Sequence, residues 1–235
     1  MSASRSAETG VHNQFTILVT KTKKWDVEMR ELVLPIKDSQ MLKQVLETLL
    51  ENFKYGQRNY TIFQVGKATL LRVSDVLKLK KSDVYDDDGH VKKNAFIVDQ
   101  KTKKHNTLYL RPVERDLERY RAWLLEFQLD NPEMKVYQSE WLFPSFRDPE
   151  RHIGSKQFWK IMNTVGDLLG INYLGTHTMR KTGAYMVYEQ TGHNIALVMK
   201  LLNHSSEAMT LEYLGLDQES RESMLDMIDF GKLNI

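Results

Sequence analysis

The chain of 235 residues carries 33 lysines and arginines against 31 acids, and its net charge of +2 does not by itself indicate a nucleic-acid binder. The absence of cysteine excludes disulfides and thiolate metal sites, while a hydrophobic content of 41% is sufficient for a folded core. No apolar run is long enough to span a bilayer, so we expect a soluble, cytoplasmic protein without a membrane partner.

The lysines are concentrated in short clusters, whereas the acids concentrate elsewhere. The clusters lie at residues 21–24, 78–81, 92–93 and 101–104. Such clusters can follow a phosphate backbone, although a solvated loop is the more common explanation for any single one. The charge pattern therefore leaves both explanations open.

The first predicted elements are helices. Residues 1–34 are polar at their start and are predicted to form a partly disordered or arm-like extension. Asp38 or Ser39 can cap a helix whose apolar residues recur at helical spacing as far as Phe53. Gly56 and Asn59 predict a break before the next elements. Two further helices are predicted over residues 60–71 and 73–77.

A small antiparallel sheet of about three strands is predicted next. The strands are expected at residues 83–85, 95–98 and 107–110. A turn at residues 86–89 and a polar turn at residues 101–106 separate them. The chain then returns to helical spacing over residues 113–129, and an apolar loop follows at residues 141–144.

The C-terminal part is predicted to be helical. Ser155 can cap a helix that ends at Gly170, and Thr176 can cap the next one. The remaining helices are expected over residues 194–202, around Tyr213 after a Ser205 or Ser206 cap, and over residues 217–228. The fold class is therefore mixed, mainly α with a small antiparallel β-sheet.

An H-x-x-R motif, His177 and Arg180, opens the helix capped by Thr176. Residues at positions i and i+3 lie on one helix face, and the first turn of a helix favours an anion. The arginine fork matches two phosphate oxygens. Taken alone, the motif is more often an ordinary helix start.

His204 and Tyr213 follow in a Leu-Leu-Asn-His-Ser-Ser turn and the short helix after it. His204 could equally satisfy backbone groups at a helix end, and Tyr213 could be a half-buried tyrosine. A tyrosine whose pKa stays near ~10 needs nearby cations or a base to act as a nucleophile. His177, Arg180 and His204 could supply them.

Two cations far upstream could complete such a site. Arg72 lies among apolar residues and is expected to be partly buried, so it needs an acid or an anion as a partner. Asp75 could be that partner in a simple local pair. Lys101 opens the polar hairpin turn, where surface solvation is the ordinary explanation.

In combination, these residues resemble the catalytic domain of the tyrosine recombinases, the phage integrase family. The resemblance covers residues from about 34 to 216. Its landmarks, in chain order, are the Arg72-Val73-Ser74-Asp75-Val76-Leu77 segment, Lys101 between two strands, the Leu-Phe-Pro anchor at residues 142–144, the H-x-x-R motif, the Leu-x-His-Ser-Ser turn, and Tyr213 nine positions after His204. Each motif is weak alone, but together they are specific.

The resemblance implies the tyrosine recombinase fold and a DNA strand-transfer reaction. Tyr213 would attack a DNA phosphodiester, form a 3′-phosphotyrosyl link and free a 5′-hydroxyl. Arg72 and Arg180 would hold the non-bridging phosphate oxygens. Lys101 would protonate the leaving oxygen as the general acid.

The resemblance also implies supporting roles. His177 would help to move the tyrosine proton, His204 would bond the phosphate, and Asp75 would orient Arg72 or His177. Further DNA contacts are expected from three lysines, Lys103, Lys104 and Lys181. No metal, cofactor or ATP is expected, and the partner would be double-stranded DNA, bound as a homotetramer that is monomeric without DNA. By family frequency we expect a bacterial or phage-encoded, nucleoid-associated enzyme of a mobile element.

Three residues depart from the family pattern. Leu70 and Asn203 stand where glycines are usual, and Lys181 stands where a histidine is usual. A type IB topoisomerase-like activity, or a DNA-binding accessory protein of the same fold, remains an alternative.

Residues 35–216 would form the catalytic domain, and residues 217–235 a helix and tail that pack in cis or into a neighbouring protomer. Residues 1–34 are too few for the N-terminal helical domain that the family usually carries. We expect either a fragment or a short member, and weak DNA binding by the isolated chain.

Overall fold

The computed structural model describes residues 33–98, 103–216 and 225–226. Within these ranges the helices are α1 (Ser39–Glu51), α2 (Gly56–Thr69), α3 (Val73–Leu77), α4 (Lys81–Val84), α5 (Glu114–Asp130), α6 (Ser155–Leu169), α7 (Thr178–Gln190), α8 (Ile195–Leu202) and α9 (Glu207–Tyr213). The strands are β1 (Asn94–Val98) and β2 (His105–Tyr109). No helix in these ranges has the length and apolarity that a membrane crossing requires. Residues 1–32 of the predicted N-terminal extension lie outside the described residues. Most of the predicted C-terminal helix and tail lie outside them as well.

The first two helices confirm one prediction and correct another. Asp38 caps α1, because its Oδ1 accepts a hydrogen bond of 2.6 Å from the backbone N–H of Met41. The predicted break at Gly56 and Asn59 is wrong, since α2 begins at Gly56 and contains Asn59. A Cβ on Gly56 would lie 1.8 Å from the carbonyl oxygen of Leu50. Glycine is needed there for a close approach, not to end a helix.

Helices α2 and α7 pack closely through two glycines. A Cβ on Gly66 would lie 2.3 Å from the sulfur of Met179, and one on Gly183 would lie 2.0 Å from the carbonyl oxygen of Lys67. Side chains larger than hydrogen would therefore push the two helices apart. This contact brings the end of α2, and Arg72 just beyond it, next to the helix that carries Arg180.

Two of the positions that depart from the family pattern have left-handed backbone conformations. Leu70 ends α2 with φ of 55°, and Asn203 ends α8 with φ of 57°. This region costs most residues roughly 1–2 kcal/mol, whereas glycine adopts it freely and asparagine more readily than most. The backbone thus explains why glycine suits both positions. Leu70 keeps its conformation with its side chain buried.

The described sheet has two strands, not the predicted three. Residues 81–84 form α4 instead of a strand, because Asp83 Oδ2 accepts from the backbone N–H of Lys80 at 2.8 Å and starts a helical turn. Tyr85 pairs only with Val91, as an isolated bridge. In the antiparallel β1–β2 pair, the buried Ala95 lies opposite the buried Leu108.

Two hydrophobic clusters form the core. The larger one joins α1, α2, α5 and α6 with the predicted apolar loop, whose Leu142 and Phe143 are fully buried. The smaller one contains Leu70, Ala184, Val198, Leu202 and Leu214, with Tyr213 packed against it. The helices predicted at residues 113–129, 155–169 and 194–202 agree with α5, α6 and α8 to within about a residue at each end.

Candidate active site

A cleft of about 400 Å³ lies between the end of α2, strand β2, α7 and the end of α8. Its lining includes two arginines, Arg72 and Arg180, and two lysines, Lys104 and Lys200. Residues more than 100 positions apart in the sequence therefore contribute cations to one concave surface. Such a surface attracts anions.

Arg72 occupies the N-cap position of α3, with an extended backbone (φ −68°, ψ 151°). Its carbonyl oxygen accepts from the backbone N–H groups of Asp75 at 2.9 Å and Val76 at 3.0 Å, which closes the first turn. The Arg72 side chain is partly exposed, whereas Asp75 is buried, with an exposed fraction of 4%. The role predicted for the Asp75 carboxylate stays a prediction.

The two residues of the H-x-x-R motif differ in burial. His177, not the predicted Thr176, occupies the N-cap of α7, and its side chain is exposed. Thr178 holds the turn before it by accepting from the backbone N–H of Gly175 at 2.9 Å. Arg180 is buried, and its Nη2 donates to the carbonyl oxygen of Leu202 at 3.2 Å. The arginine is therefore fixed to the end of α8, while the histidine faces solvent.

His204 follows α8 and is held by Thr210 of α9. Its Nδ1 lies 3.1 Å from Thr210 Oγ1, and that oxygen also lies 3.1 Å from the carbonyl oxygen of Ser206. Because a hydroxyl has one hydrogen, two arrangements satisfy these contacts: Thr210 donates to Ser206 and accepts from His204 Nδ1–H, or it donates to His204 Nδ1. In the second arrangement, and in the protonated ring, Nε2 carries a proton that it can donate to a phosphate oxygen.

Tyr213 is the last residue of α9, and its ring meets that of His204 edge to face, with ring centroids 5.1 Å apart. Its hydroxyl oxygen is buried and has no hydrogen bond of good geometry to any residue of the described ranges. Burial raises the pKa of Tyr213, whereas Arg180 and then Arg72 act to lower it. Burial lowers the pKa of His204, and the same two arginines lower it further. Four of the predicted catalytic residues therefore influence one another.

The predicted lysines have different surroundings. Lys101 lies outside the described residues. Lys103 is exposed with a left-handed backbone (φ 56°), and Lys104 Nζ lies 3.4 Å from Asn203 Oδ1 at the cleft. Lys181 is partly buried, and its Nζ donates to the carbonyl oxygen of Val33 at 2.7 Å.

The sequence patterns missed two groups that hold the site together. Thr210 orients His204, and the carbonyl oxygen of Leu202 binds Arg180. A polar residue on the same helix face as Tyr213, three positions before it, could have indicated Thr210. A backbone carbonyl leaves no such signal, because every residue has one.

Among the described residues, one group of side chains lies close enough together to hold a cation. It consists of Asp86, Asp88 and His90, all of which are exposed. None of the three lines the cleft.

Comparisons with known proteins agree on one family. The model described as the phage integrase family matches residues 39–220. The probable integrase/recombinase YoeC of Bacillus subtilis (strain 168) is 31% identical over 189 residues, which cover 80% of this chain and 93% of YoeC.

Two recombinase structures are similar in fold. The XerA recombinase matches with a TM-score of 0.58 and 22% identity, over 85% of this chain and 66% of its own. The XerH site-specific recombinase bound to palindromic difH substrate, in a post-cleavage complex, matches with a TM-score of 0.57 and 21% identity, over 84% of this chain and 54% of its own. The chain therefore spans between about half and two thirds of the length of these two structures.

Proposed function

Because the chain belongs to the phage integrase family of tyrosine recombinases, we propose that it is a site-specific DNA recombinase whose nucleophile is Tyr213. One observation carries this proposal. The Tyr213 hydroxyl is buried within the influence of Arg180 and Arg72, and both arginines line the cationic cleft. A phosphodiester in the cleft would meet both positive charges, whereas Tyr213 is not among the lining residues and its buried hydroxyl would have to turn towards the cleft to attack.

The proposed step exchanges one phosphodiester for another. The Tyr213 oxygen forms a bond to phosphorus, the bond from phosphorus to the 5′-oxygen breaks, and the 3′-phosphate stays on the protein. The tyrosine gives up its proton, and the 5′-oxygen gains one. Religation by a different 5′-hydroxyl reverses these events, so ATP is not required, and the arginines would take the place of a metal.

Arg72 and Arg180 act on the charge that develops on phosphorus. Arg180 is held by the carbonyl oxygen of Leu202, so that its guanidinium is oriented before the substrate arrives. A preorganised donor of this kind typically contributes about 3–4 kcal/mol to transition-state stabilisation. Both arginines also favour the tyrosinate form, because they lower the pKa of Tyr213 against the effect of burial.

Three residues would handle protons. Lys101 remains the proposed general acid for the 5′-oxygen. His177, at the exposed start of α7, would accept the tyrosine proton with help from solvent. His204 would donate from Nε2 to a non-bridging oxygen when that nitrogen carries a proton.

The proposed partner is double-stranded DNA, as in the difH-bound XerH complex. A homotetramer on DNA and a monomer without it are proposed on family grounds, with weak binding by the isolated chain. The C-terminal segment would pack either in cis or into a neighbouring protomer. Deletion of residues 217–235 separates these arrangements, because only trans packing makes DNA-dependent assembly depend on that segment.

Covalent capture tests the proposed reaction. The protein is incubated with an end-labelled pool of nicked suicide duplexes that carry a randomised core, and adducts are resolved on a denaturing gel. We expect an adduct that Tyr213→Phe abolishes, and sequencing of the attached DNA would give the preferred site. Tyr188→Phe is a matched control, because Tyr188 packs against the same hydrophobic cluster.

Other outcomes favour different activities. Relaxation of any supercoiled plasmid irrespective of sequence would indicate a topoisomerase-like enzyme. DNA binding without any adduct would indicate an accessory protein of the same fold. An adduct that persists in Tyr213→Phe would contradict the assignment of the nucleophile.

A further inference from the structure

Residues 33–37, called the strap below, connect three parts of the molecule. The backbone N–H of Leu34 donates to the carbonyl oxygen of Tyr173 at 3.2 Å, and that of Ile36 donates to Thr182 Oγ1 of α7 at 3.0 Å. Lys37 Nζ donates to the carbonyl oxygen of Gly215 at 3.0 Å, just beyond α9. The strap therefore contacts both α7 and the end of the helix that carries Tyr213.

The strap fits tightly against two glycines. A Cβ on Gly175 would lie 2.7 Å from Cγ2 of Val33, and a Cβ on Gly215 would lie 3.3 Å from Cδ2 of Leu34. Larger residues at these glycines would displace the strap or the loops against which it packs. The first two residues of the strap are thus held by steric fit as well as by hydrogen bonds.

Lys181 joins the strap to the proposed nucleophile. Its Nζ donates to the carbonyl oxygen of Val33 at 2.7 Å and lies 5.0 Å from the centroid of the Tyr213 ring. An ammonium over the face of an aromatic ring is attracted to it and holds the ring's orientation. Lys181 does not belong to the lining of the cleft.

We propose that Lys181 is a positioning residue for Tyr213, and that the strap holds it there through the carbonyl oxygen of Val33. This inference rests on the proposed role of Tyr213 as the nucleophile. The ammonium fixes the ring so that its hydroxyl points towards the arginines, and it stabilises the negative charge of the tyrosinate. The lysine therefore acts through the tyrosine instead of contacting a phosphate itself.

Other charged groups also face Tyr213. Arg180 and Arg72 act on it from α7 and from the start of α3, and His204 contacts its ring. Glu212 of α9 interacts with Lys181 and opposes the lowering of the Lys181 pKa by burial. Lys181 is distinct among the cations because it lies over the ring face, outside the phosphate cleft.

The first test measures the rate of the cleavage step. Wild type, Lys181→Met and Lys181→Arg are compared in single-turnover cleavage of a suicide duplex across a range of pH, with DNA affinity measured separately. We expect Lys181→Met to cleave about tenfold more slowly, with unchanged affinity and a pH profile shifted upward by about half a unit. Lys181→Arg should restore most of the rate, because it keeps the cation.

The chain offers a matched control in Lys81. Its Nζ also donates to a backbone carbonyl, that of Tyr137 at 2.6 Å, and also lies over a tyrosine ring, 5.2 Å from its centroid. Lys81→Met removes an equivalent interaction without touching Tyr213. It should leave the cleavage rate per folded molecule and the pH profile unchanged.

A second test needs no DNA. The protein is labelled with 3-fluorotyrosine, Tyr213→Phe assigns its fluorine signal, and the signal is titrated in wild type and Lys181→Met. We expect the Tyr213 titration to move upward by about half a pH unit in Lys181→Met. Lys37→Met, which removes the hydrogen bond from the strap to the carbonyl oxygen of Gly215, should broaden or split the Tyr213 signal.

The outcomes separate this inference from the proposed function. Absence of any Tyr213-dependent adduct in wild type would refute the proposed reaction, while the fluorine titration would still decide the contact with Lys181. An adduct formed by Lys181→Met at the wild-type rate and pH profile, with an unchanged titration, would overturn the positioning role alone. Loss of DNA affinity without a slower cleavage step would make Lys181 a phosphate contact and also overturn it.

Discussion

Two arginines are buried in the described part of the chain, and their surroundings differ. Arg58 of α2 is 1% exposed, and Arg180 of α7 is 6% exposed. Arg58 lies beside the rings of Tyr55 and Phe146, which stack on each other with centroids 4.1 Å apart, and its guanidinium carbon is 5.3 and 5.1 Å from those centroids. Arg180 instead lies at the wall of the cleft.

The comparison indicates how an arginine with a structural role differs from one positioned to act on a substrate. The hydrogen bonds of Arg58 go to Asn59 Oδ1 and to the carbonyl oxygen of Pro144, and burial lowers its pKa to about 10. Arg180 donates to the carbonyl oxygen of Leu202 and acts on Tyr213 and His204. Burial alone does not distinguish the two, whereas their neighbours do.

The largest expected effect is on stability, from Arg58→Ala. The substitution leaves a cavity beside the stacked rings of Tyr55 and Phe146 and removes the donors that satisfy Asn59 and the Pro144 carbonyl. We expect a loss of about 3–5 kcal/mol in the free energy of unfolding, measured by urea titration. Arg58→Met fills most of the volume and should lose less. A wild-type free energy of unfolding in Arg58→Ala would show that this arginine is not a structural anchor.

Arg180→Met should reduce activity more than stability, in contrast to Arg58→Ala. The side chain keeps much of its volume, but the charge beside Tyr213 is lost. We expect cleavage of the suicide duplex to fall by a factor of about 10²–10³, with a smaller change in unfolding free energy than in Arg58→Ala. Cleavage at the wild-type rate would place Arg180 with Arg58 as a structural residue.

Gly183→Ala should lower both the stability of the protein and the rate of cleavage. The added methyl group would press on the carbonyl oxygen of Lys67 and separate α7 from α2. We expect a loss of about 1–3 kcal/mol in unfolding free energy, together with slower cleavage, because Arg72 and Arg180 move apart. Gly154→Ala is the control, since nothing lies within 4 Å of a Cβ at that position. Equal effects of the two substitutions would contradict the close packing of α2 on α7.

The smallest expected effect is a pH dependence of DNA affinity through His204. Its pKa is lowered in the free protein, and a bound phosphate would raise it, so binding takes up a proton. Affinity should therefore increase as the pH falls through the range between the two pKa values, by at most about tenfold per pH unit for one proton. Fluorescence anisotropy at constant ionic strength measures this dependence. His204→Gln should flatten it, and an equal slope in both proteins would exclude His204 as the linked group.

Local signals predicted much of the fold. Asp38 caps its helix as expected, and the helices at residues 73–77 and 155–169 agree with the predicted bounds to within a residue, because apolar spacing acts within one element. The predicted Ser155 cap was wrong, since Gly154 occupies the N-cap of α6 and no side chain caps that helix. The strand predicted at residues 83–85 was wrong because Asp83 caps a helical turn in a short segment where apolar residues fit either structure. The break predicted at Gly56 was wrong because the glycine is needed for its close approach to Leu50 near the end of α1, and the local sequence does not show that contact.

At the site, the features that the sequence did not predict depend on contacts between residues that are distant in the chain. The motif spacing placed His177 and Arg180 on one face, but only the packing of α7 determines that one is exposed and the other buried. Lys181 was expected to contact DNA, yet its partner in the structure is a backbone carbonyl 148 positions away. No residue type in the sequence identifies such a partner, and the predicted DNA contact of Lys181 is the alternative to the positioning role proposed above.

Leu70 has a consequence for how the site is assembled. Its left-handed backbone would suit a glycine, but its side chain is buried in the same cluster against which Tyr213 packs. The segment between α2 and α3 therefore lacks the free hinge that a glycine would provide. Arg72, two residues further on, is coupled to the packing of α8 and α9. Local unfolding of those helices would therefore loosen the nucleophile and this arginine together.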